Sequence, residues 1–287
     1  MMLPICLVTG FLGTGKTTFL KNIVASNNNR KIVYLINEFS AHDVDGAALS
    51  AENPFVVSIP GGSIFCRCRV TEFIGELKKI PRRWPDAQGV VIEASGMANP
   101  RVMEQMLAET RLDRLYRLAT VISVIEPASF LKLLGTLPNI MAQIEAADVV
   151  LINKTDCHAP EKNEKTDALV RGINPTAQRI KTVRCAAAID LFAEHAPRGL
   201  QGEYAKCSDP AYSVFVTDRP FNGDALEAFV FARALDIYRV KGTLTDELFD
   251  YSTAGITRTP RAGVTAKLAW IVKGGAEGEI AAGLRML

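Results

Sequence analysis

Apolar and polar positions follow two different regimes along the chain. Over the first two-thirds, short and nearly continuous apolar runs recur: "PICLVTG" (4–10), "KIVYLINEF" (31–39), "GVVIEASG" (89–96), "ATVISVIE" (119–126) and "DVVLINKTD" (148–156). Runs that are apolar at consecutive positions, not at alternate ones, suit strands buried on both faces of a parallel sheet. Helical patterns fall between them at about 16–26, 70–80, 100–109, 128–146 and 160–172. "FVVSIP" and "AQRIKTVRC" are weaker strand candidates. This alternation predicts an α/β fold, a mostly parallel sheet flanked by helices.

The regime changes near residue 197. "APRGLQGEYAKCSDP" is polar and rich in Gly and Pro, which reads as a linker. Beyond it, "AYSVFVTD", a helical stretch at 223–233, "IYRVKGTL", "LFDYSTAG" and "AKLAWIVKGG" predict antiparallel strands of a small α+β domain. The expected organisation is a domain over 1–197, a linker over 198–210 and a small domain over 211–287.

Composition narrows the classes of function. The 287 residues are 48% hydrophobic and 22% charged, the balance of a globular protein with ample core material. A formal charge of +2 gives no electrostatic case for nucleic acid or an anionic membrane. The most apolar stretch, "LATVISVIEPASFLKLLGTL", is interrupted by Glu126, Pro127 and Lys132, so it does not read as a membrane span. The N-terminal "MMLPICLVTGFLG" lacks the basic region and cleavage site of a secretory signal. The six cysteines therefore read mostly as reduced thiols of a cytoplasmic protein.

The first predicted strand runs into "GFLGTGKTT", which satisfies G-x-x-x-x-G-K-[ST] through Gly10, Gly15, Lys16 and Thr17. At a strand-to-helix turn, Gly10, Gly13 and Gly15 let backbone N–H groups converge on phosphates, with Thr14 and Thr18 beside them. The helix N-terminus adds its dipole. Lys16 is expected on the β- and γ-phosphates and the Thr17 hydroxyl on Mg²⁺. "LINKTD" (151–156) ends a later strand, and its Asn153, Lys154 and Asp156 resemble the guanine-recognition loop of GTPases. A carboxylate at Asp156 can accept two hydrogen bonds from the guanine edge, which adenine does not offer, so GTP/GDP is favoured over ATP. "VVIEASGMANP" (90–100) supplies Glu93, expected to reach Mg²⁺ through water, and Gly96, whose N–H is expected to sense the γ-phosphate. Met97 follows, with no group to orient water, which predicts slow turnover.

These motifs in this order, with "INEFS" at the end of the second strand and Asp45 just beyond it, resemble the CobW family of GTPases. The resemblance implies a slowly hydrolysing GTP switch that assists metal or metallocofactor delivery, cobalamin or another corrinoid included, to a metalloenzyme or corrinoid-protein client. It also implies Asp45 as a switch residue near Mg²⁺. The family's C-x-C-C is altered: "GGSIFCRC" keeps Cys66 and adds Cys68, with Ser63 and Phe65 in the other two places. On an extended segment both thiols would face one way and could share Zn²⁺ or Co²⁺, with His42 a candidate third ligand. A disulfide between positions so close fits the bridge dihedral poorly. A metal site, a redox-sensitive or partner-contacting pair, and structural thiols all stay open. So do two rivals to the switch: a GTP-binding module without turnover, and a small-molecule kinase with the same phosphate loop.

Overall fold

The computed structural model describes residues 2–38, 53–60, 63–66, 69–196, 198–204, 212–252, 255–261 and 263–287. The chain divides into two compact units, Met1–Cys207 and Ser208–Leu287.

In the first unit the central strand β1 (Leu3–Thr9) is buried along most of its length. Its alternate side chains enter two cores. Ile5 and Leu7 pack with Phe73 and Leu77 of α2 (Val70–Arg83) and Met103 and Met106 of α3 (Val102–Glu109). Cys6 and Val8 pack with Phe19, Leu20 and Ile23 of α1 (Lys16–Ser26). A strand covered on both faces needs apolar residues at every position, which is the pattern seen in the sequence. The other strands are β2 (Ile32–Glu38), β3 (Val56–Pro60), β4 (Gly89–Glu93), β5 (Tyr116–Ile125), β6 (Val149–Ile152) and β7 (Gln178–Lys181). They form a seven-stranded sheet in the order β3-β2-β4-β1-β5-β6-β7, with every pairing parallel. The α/β expectation is therefore met, and both weak strand candidates are strands. The chain leaves β1 towards β2 on one side and later returns to β5 on the other. The carboxyl ends of β1, β4, β5 and β6 thus border the crevice where such sheets bind ligands.

The single helix expected at 128–146 is two: α4 (Pro127–Leu133) and α5 (Pro138–Glu145). Pro138 lacks an N–H and its ring would clash with a preceding turn, so it opens a new helix and cannot continue the old one. Helix α6 (Pro160–Ile173) follows β6 as expected. Arg198, inside the expected linker, bonds to Glu104 at 3.2 Å and pairs with Asp148, and Leu200 and Tyr204 pack against the core that holds Phe73. The polar composition that read as a linker conceals these anchors.

The second unit is a five-stranded antiparallel sheet in the order β11-β10-β9-β12-β8. Its strands are β8 (Tyr212–Thr217), β9 (Ile237–Thr243), β10 (Glu247–Ser252), β11 (Gly255–Pro260) and β12 (Lys267–Lys273), with helices α7 (Gly223–Ala232) and α8 (Glu277–Leu284). Trp270, stacked on Phe215 at 5.7 Å, shares a core with Leu226, Val230, Phe249 and Ile280. The sequence pattern did not anticipate β11 or α8. The first is an exposed edge strand whose "GITRTP" carries no alternation, and the second is a short helix with two internal glycines. Among the described residues, no helix is long and apolar enough to cross a membrane.

Phe73 is fully buried and meets Phe65 edge-to-face with ring centroids 6.2 Å apart. Phe73→Ala is expected to destabilise the first unit by about 3–5 kcal/mol through lost burial and a cavity. Urea unfolding should show a lower midpoint with an unchanged slope.

Candidate functional site

The turn between β1 and α1 has the backbone a phosphate loop requires. Gly10, Gly13 and Gly15 adopt φ of +136°, +78° and +113°, a region in which side chains are strained. Space excludes a side chain as well. A Cβ on Gly10 would lie 2.1 Å from the Val124 carbonyl oxygen, and one on Gly15 would lie 2.4 Å from Asn153 Nδ2. Gly15 caps α1 in a left-handed conformation with no side-chain hydrogen bond, leaving the first helical N–H groups for another partner. Lys16 is buried, and its ammonium donates to the Gly10 carbonyl at 2.8 Å and the Phe11 carbonyl at 3.1 Å, so it lies folded over the loop. The Thr14 hydroxyl donates to the Phe11 carbonyl at 2.9 Å. Thr17 is half-buried and Thr18 exposed in the first turn of α1.

The segment after β6 is joined directly to this loop. Asn153 is buried, and its amide donates to the Thr14 carbonyl at 2.8 Å. Its Oδ1 accepts from the Cys185 N–H at 2.8 Å and the Thr182 hydroxyl at 3.1 Å. Lys154 takes a left-handed conformation, φ +60°, and its ammonium reaches the Gly13 carbonyl at 2.9 Å. Asp156 sits exposed in a 3₁₀ turn over Thr155–Cys157. The phosphate loop and the N-K-T-D turn, some 140 residues apart in the chain, thus form one continuous wall.

Cys185 belongs to no motif of the sequence, yet the fold places it in this wall. It is buried, its Sγ lies 3.4 Å from the Gly15 carbonyl, and its thiol is pushed up to about 12, mainly by burial. Arg184 and Cys185 both have positive φ, and Asn22 of α1 holds the Arg184 carbonyl at 2.9 Å. Position after a strand facing the crevice was the available clue, and the lack of a partner spacing obscured it.

Glu93 ends β4 opposite Val8 of β1 and Ile36 of β2, and it is 6% exposed. That burial rules out an ordinary surface carboxylate. Gly96 packs on the phosphate loop: a Cβ there would lie 2.6 Å from Leu12 Cδ2. Three amide side chains fix this segment. Asn37 accepts from the Ser95 N–H at 3.3 Å and from the Ile64 N–H at 3.1 Å, and donates to the Ile59 carbonyl at 3.1 Å. Gln143 donates to the carbonyls of Gly96 and Ala98, both at 3.1 Å, and Asn139 donates to that of Met97 at 2.9 Å. Asn139 and Gln143 lie on α5 and belong to no motif, so no sequence pattern pointed to them.

The cysteine segment departs from expectation. Cys66 is buried and lies in a turn, not an extended run. Its N–H bonds to the Ser63 carbonyl at 2.9 Å, and its own carbonyl accepts from Arg69 and Val70 at 2.9 Å as α2 begins. The alternation that would aim neighbouring thiols together applies only to extended backbone. Cys66 is also disulfide-bonded, whereas Cys6, Cys157 and Cys185 are free. Among the described residues no group of three or more His, Cys, Asp or Glu could hold a metal ion. Cys68, Asp45 and His42 lie outside the described residues.

Gly15→Ala, which drives a methyl group into Asn153, is expected to weaken nucleotide binding by about tenfold or more, the equivalent of a strain of 1.4 kcal/mol. Gly135→Ala, with open space around the new Cβ, serves as the control and should bind normally in the same calorimetric titration.

Comparison with known proteins agrees with this geometry. Residues 4–181 match the family described as CobW/HypB/UreG, nucleotide-binding domain. The zinc chaperone YeiR of Escherichia coli is 29% identical over 160 residues, covering 55% of this chain and 48% of that protein. The zinc-regulated GTPase metalloprotein activator 1 of Schizosaccharomyces pombe is 30% identical over 190 residues, covering 62% of this chain and 45% of that one. The chain spans about half the length of the curated relatives it matches. In overall fold it resembles the zinc-bound YjiA GTPase of E. coli, with a TM-score of 0.50, 21% identity, and coverage of 100% of this chain and 99% of that one. With a P-loop, a linked N-K-T-D turn and a family match over more than half its length, this chain belongs to the CobW/HypB/UreG nucleotide-binding family.

Proposed function

We propose that the protein is a GTP-binding and GTP-hydrolysing switch that assists delivery of a metal, zinc foremost, to a client protein. The observation that carries this reading is the joining of phosphate loop and base-recognition turn by Asn153 and Lys154. A phosphate loop alone would serve a kinase equally well, but one built into an N-K-T-D turn favours guanine through Asp156.

The donor set fits GTP with Mg²⁺. The backbone N–H groups of residues 13–18 suit the phosphates, and Lys16 would exchange its bonds to the loop carbonyls for phosphate oxygens. The Thr17 hydroxyl and, through water, the Glu93 carboxylate are hard oxygen donors of the kind Mg²⁺ takes, and Asp45 is the further candidate. The bound cation would neutralise charge developing on the phosphates. Gly96, held against Leu12, would present its N–H to the terminal phosphate. Met97 beside it is buried and apolar, so its own side chain cannot orient water, which favours slow intrinsic hydrolysis.

Zinc as cargo is supported by the names of the relatives, three of them zinc chaperones. Cobalt, and a corrinoid client, are finer readings within the same scheme. In this chain Cys66 and Cys68 are the thiols for such a cargo, once reduced, since only thiolates ligate a soft cation well. Ser63 and Phe65 in two of the three cysteine places favour a second reading, in which the segment contacts a protein client and carries no metal.

GTP is expected to bind at least tenfold more tightly than ATP, since Asp156 is left unpaired by adenine. Lys16→Ala should abolish single-turnover hydrolysis without altering the fold seen by circular dichroism. Retained hydrolysis in that variant would overturn the enzymatic assignment. Zinc and cobalt(II) titration of reduced protein, with and without a non-hydrolysable GTP analogue, should show stoichiometric binding that is lost in Cys66→Ser/Cys68→Ser. No binding in either state would leave the protein-facing reading.

A further inference from the structure

Glu126 follows β5 directly and is fully buried. Its carboxylate caps α4, accepting from the Ala128 N–H at 2.9 Å, the Ser129 N–H at 2.8 Å and the Ser129 hydroxyl. One more partner comes from a different element: His158 Nε2 bonds to Glu126 Oε1. Burial by itself would push this carboxyl up, but the Ser129, Ala128 and His158 contacts outweigh it and hold it below its ordinary value. An anionic Glu126 has only acceptors, so His158 Nε2 is the donor.

His158 lies two residues beyond Asp156, where the 3₁₀ turn ends. Each part of that turn is tied to the scaffold. At its start Asn153 holds Thr14, Thr182 and Cys185. Within it, the Thr155 hydroxyl donates to the Thr182 carbonyl at 3.1 Å, and Asn163 of α6 donates to the Thr155 carbonyl at 3.0 Å. At its end stands His158. Asp156 is exposed, and the turn that carries it sets where its Cα lies and so where its carboxylate can reach.

We infer that the Glu126–His158 pair positions Asp156 for guanine recognition, fixing the far end of the turn whose near end Asn153 fixes. The inference rests on the reading of Asp156 as the base-recognising residue. His158 does not touch the base; it acts through the turn. The phosphate loop is built from other contacts, so losing His158 costs base discrimination and spares phosphate binding. A carboxylate accepting two hydrogen bonds from guanine tolerates little rotation, because bonds to charged groups weaken steeply off axis.

The test compares GDP, IDP and ADP affinities for the wild type, His158→Ala, His158→Leu, His158→Gln and Asp156→Ala. IDP lacks the exocyclic amine, so the GDP-to-IDP ratio reads one of the two bonds to Asp156. The wild-type ratio is expected to be about tenfold or more, the value of one hydrogen bond to a charged group. His158→Ala and His158→Leu should bring the ratio down to that of Asp156→Ala, with ADP affinity unchanged. His158→Gln, which keeps a donor for Glu126, should restore most of it. His158→Leu fills the vacated space, which guards against truncation that merely loosens packing. A wild-type ratio in the two donor-less variants, an equal loss for all three nucleotides, or no recovery in His158→Gln would overturn the inference. If the wild type itself fails to prefer GDP over ADP, the guanine reading falls and the inference with it. Guanine preference with a ratio indifferent to His158 sinks the inference alone.

Discussion

The candidate site depends on one carboxamide. Asn153 uses its donor on the phosphate loop and its acceptor on two groups beyond β7, all within about 3 Å and out of water. A buried amide costs free energy unless its bonds are made, so all three segments must take up their native arrangement together for any one to be stable. Gly15 completes the constraint, since the Asn153 amide occupies the space where a side chain would sit. The phosphate loop, the recognition turn and the Cys185 loop are therefore a single packed object.

A second carboxamide does similar work on the other side of β1. Asn37 links the end of β3, the segment that leads to Cys66, and the segment that follows Glu93. Gln143 and Asn139 then hold the next three carbonyls from α5. The stretch expected to respond to the γ-phosphate is thus fastened from two elements and packed on Leu12. Asn37 thus ties the segment after Glu93 to the segment that carries Cys66 through hydrogen bonds of one side chain.

Much was legible before the fold was known. Strands buried on both faces have no polar face to conceal them, so "CLVTG", "VVIEASG" and "VVLIN" declared both the parallel sheet and the strand ends where the motifs sit. Motif spacing within a turn is local chemistry, and Gly10, Gly15, Lys16 and Thr17 follow from it. The break at Pro138 was missed, because the apolar pattern on either side of it reads as one helix. Edge strand β11 and short helix α8 gave no periodic signal. Arg198 and Tyr204 looked like linker residues because a polar side chain anchored by an ion pair or hydrogen bond has the composition of a solvated one.

The sequence by itself determined the sheet, the order of the motifs along it and the chemistry each motif can offer, because these depend on neighbours within a few residues. Tertiary structure alone decided which distant groups meet: Asn153 with Thr14, Cys185 with Gly15, Gln143 with Gly96, His158 with Glu126. It also decided that Cys66 sits in a turn and not on an extended run. Each of these joins positions through side-chain directions set by packing and strand register, and no local pattern of residues encodes them.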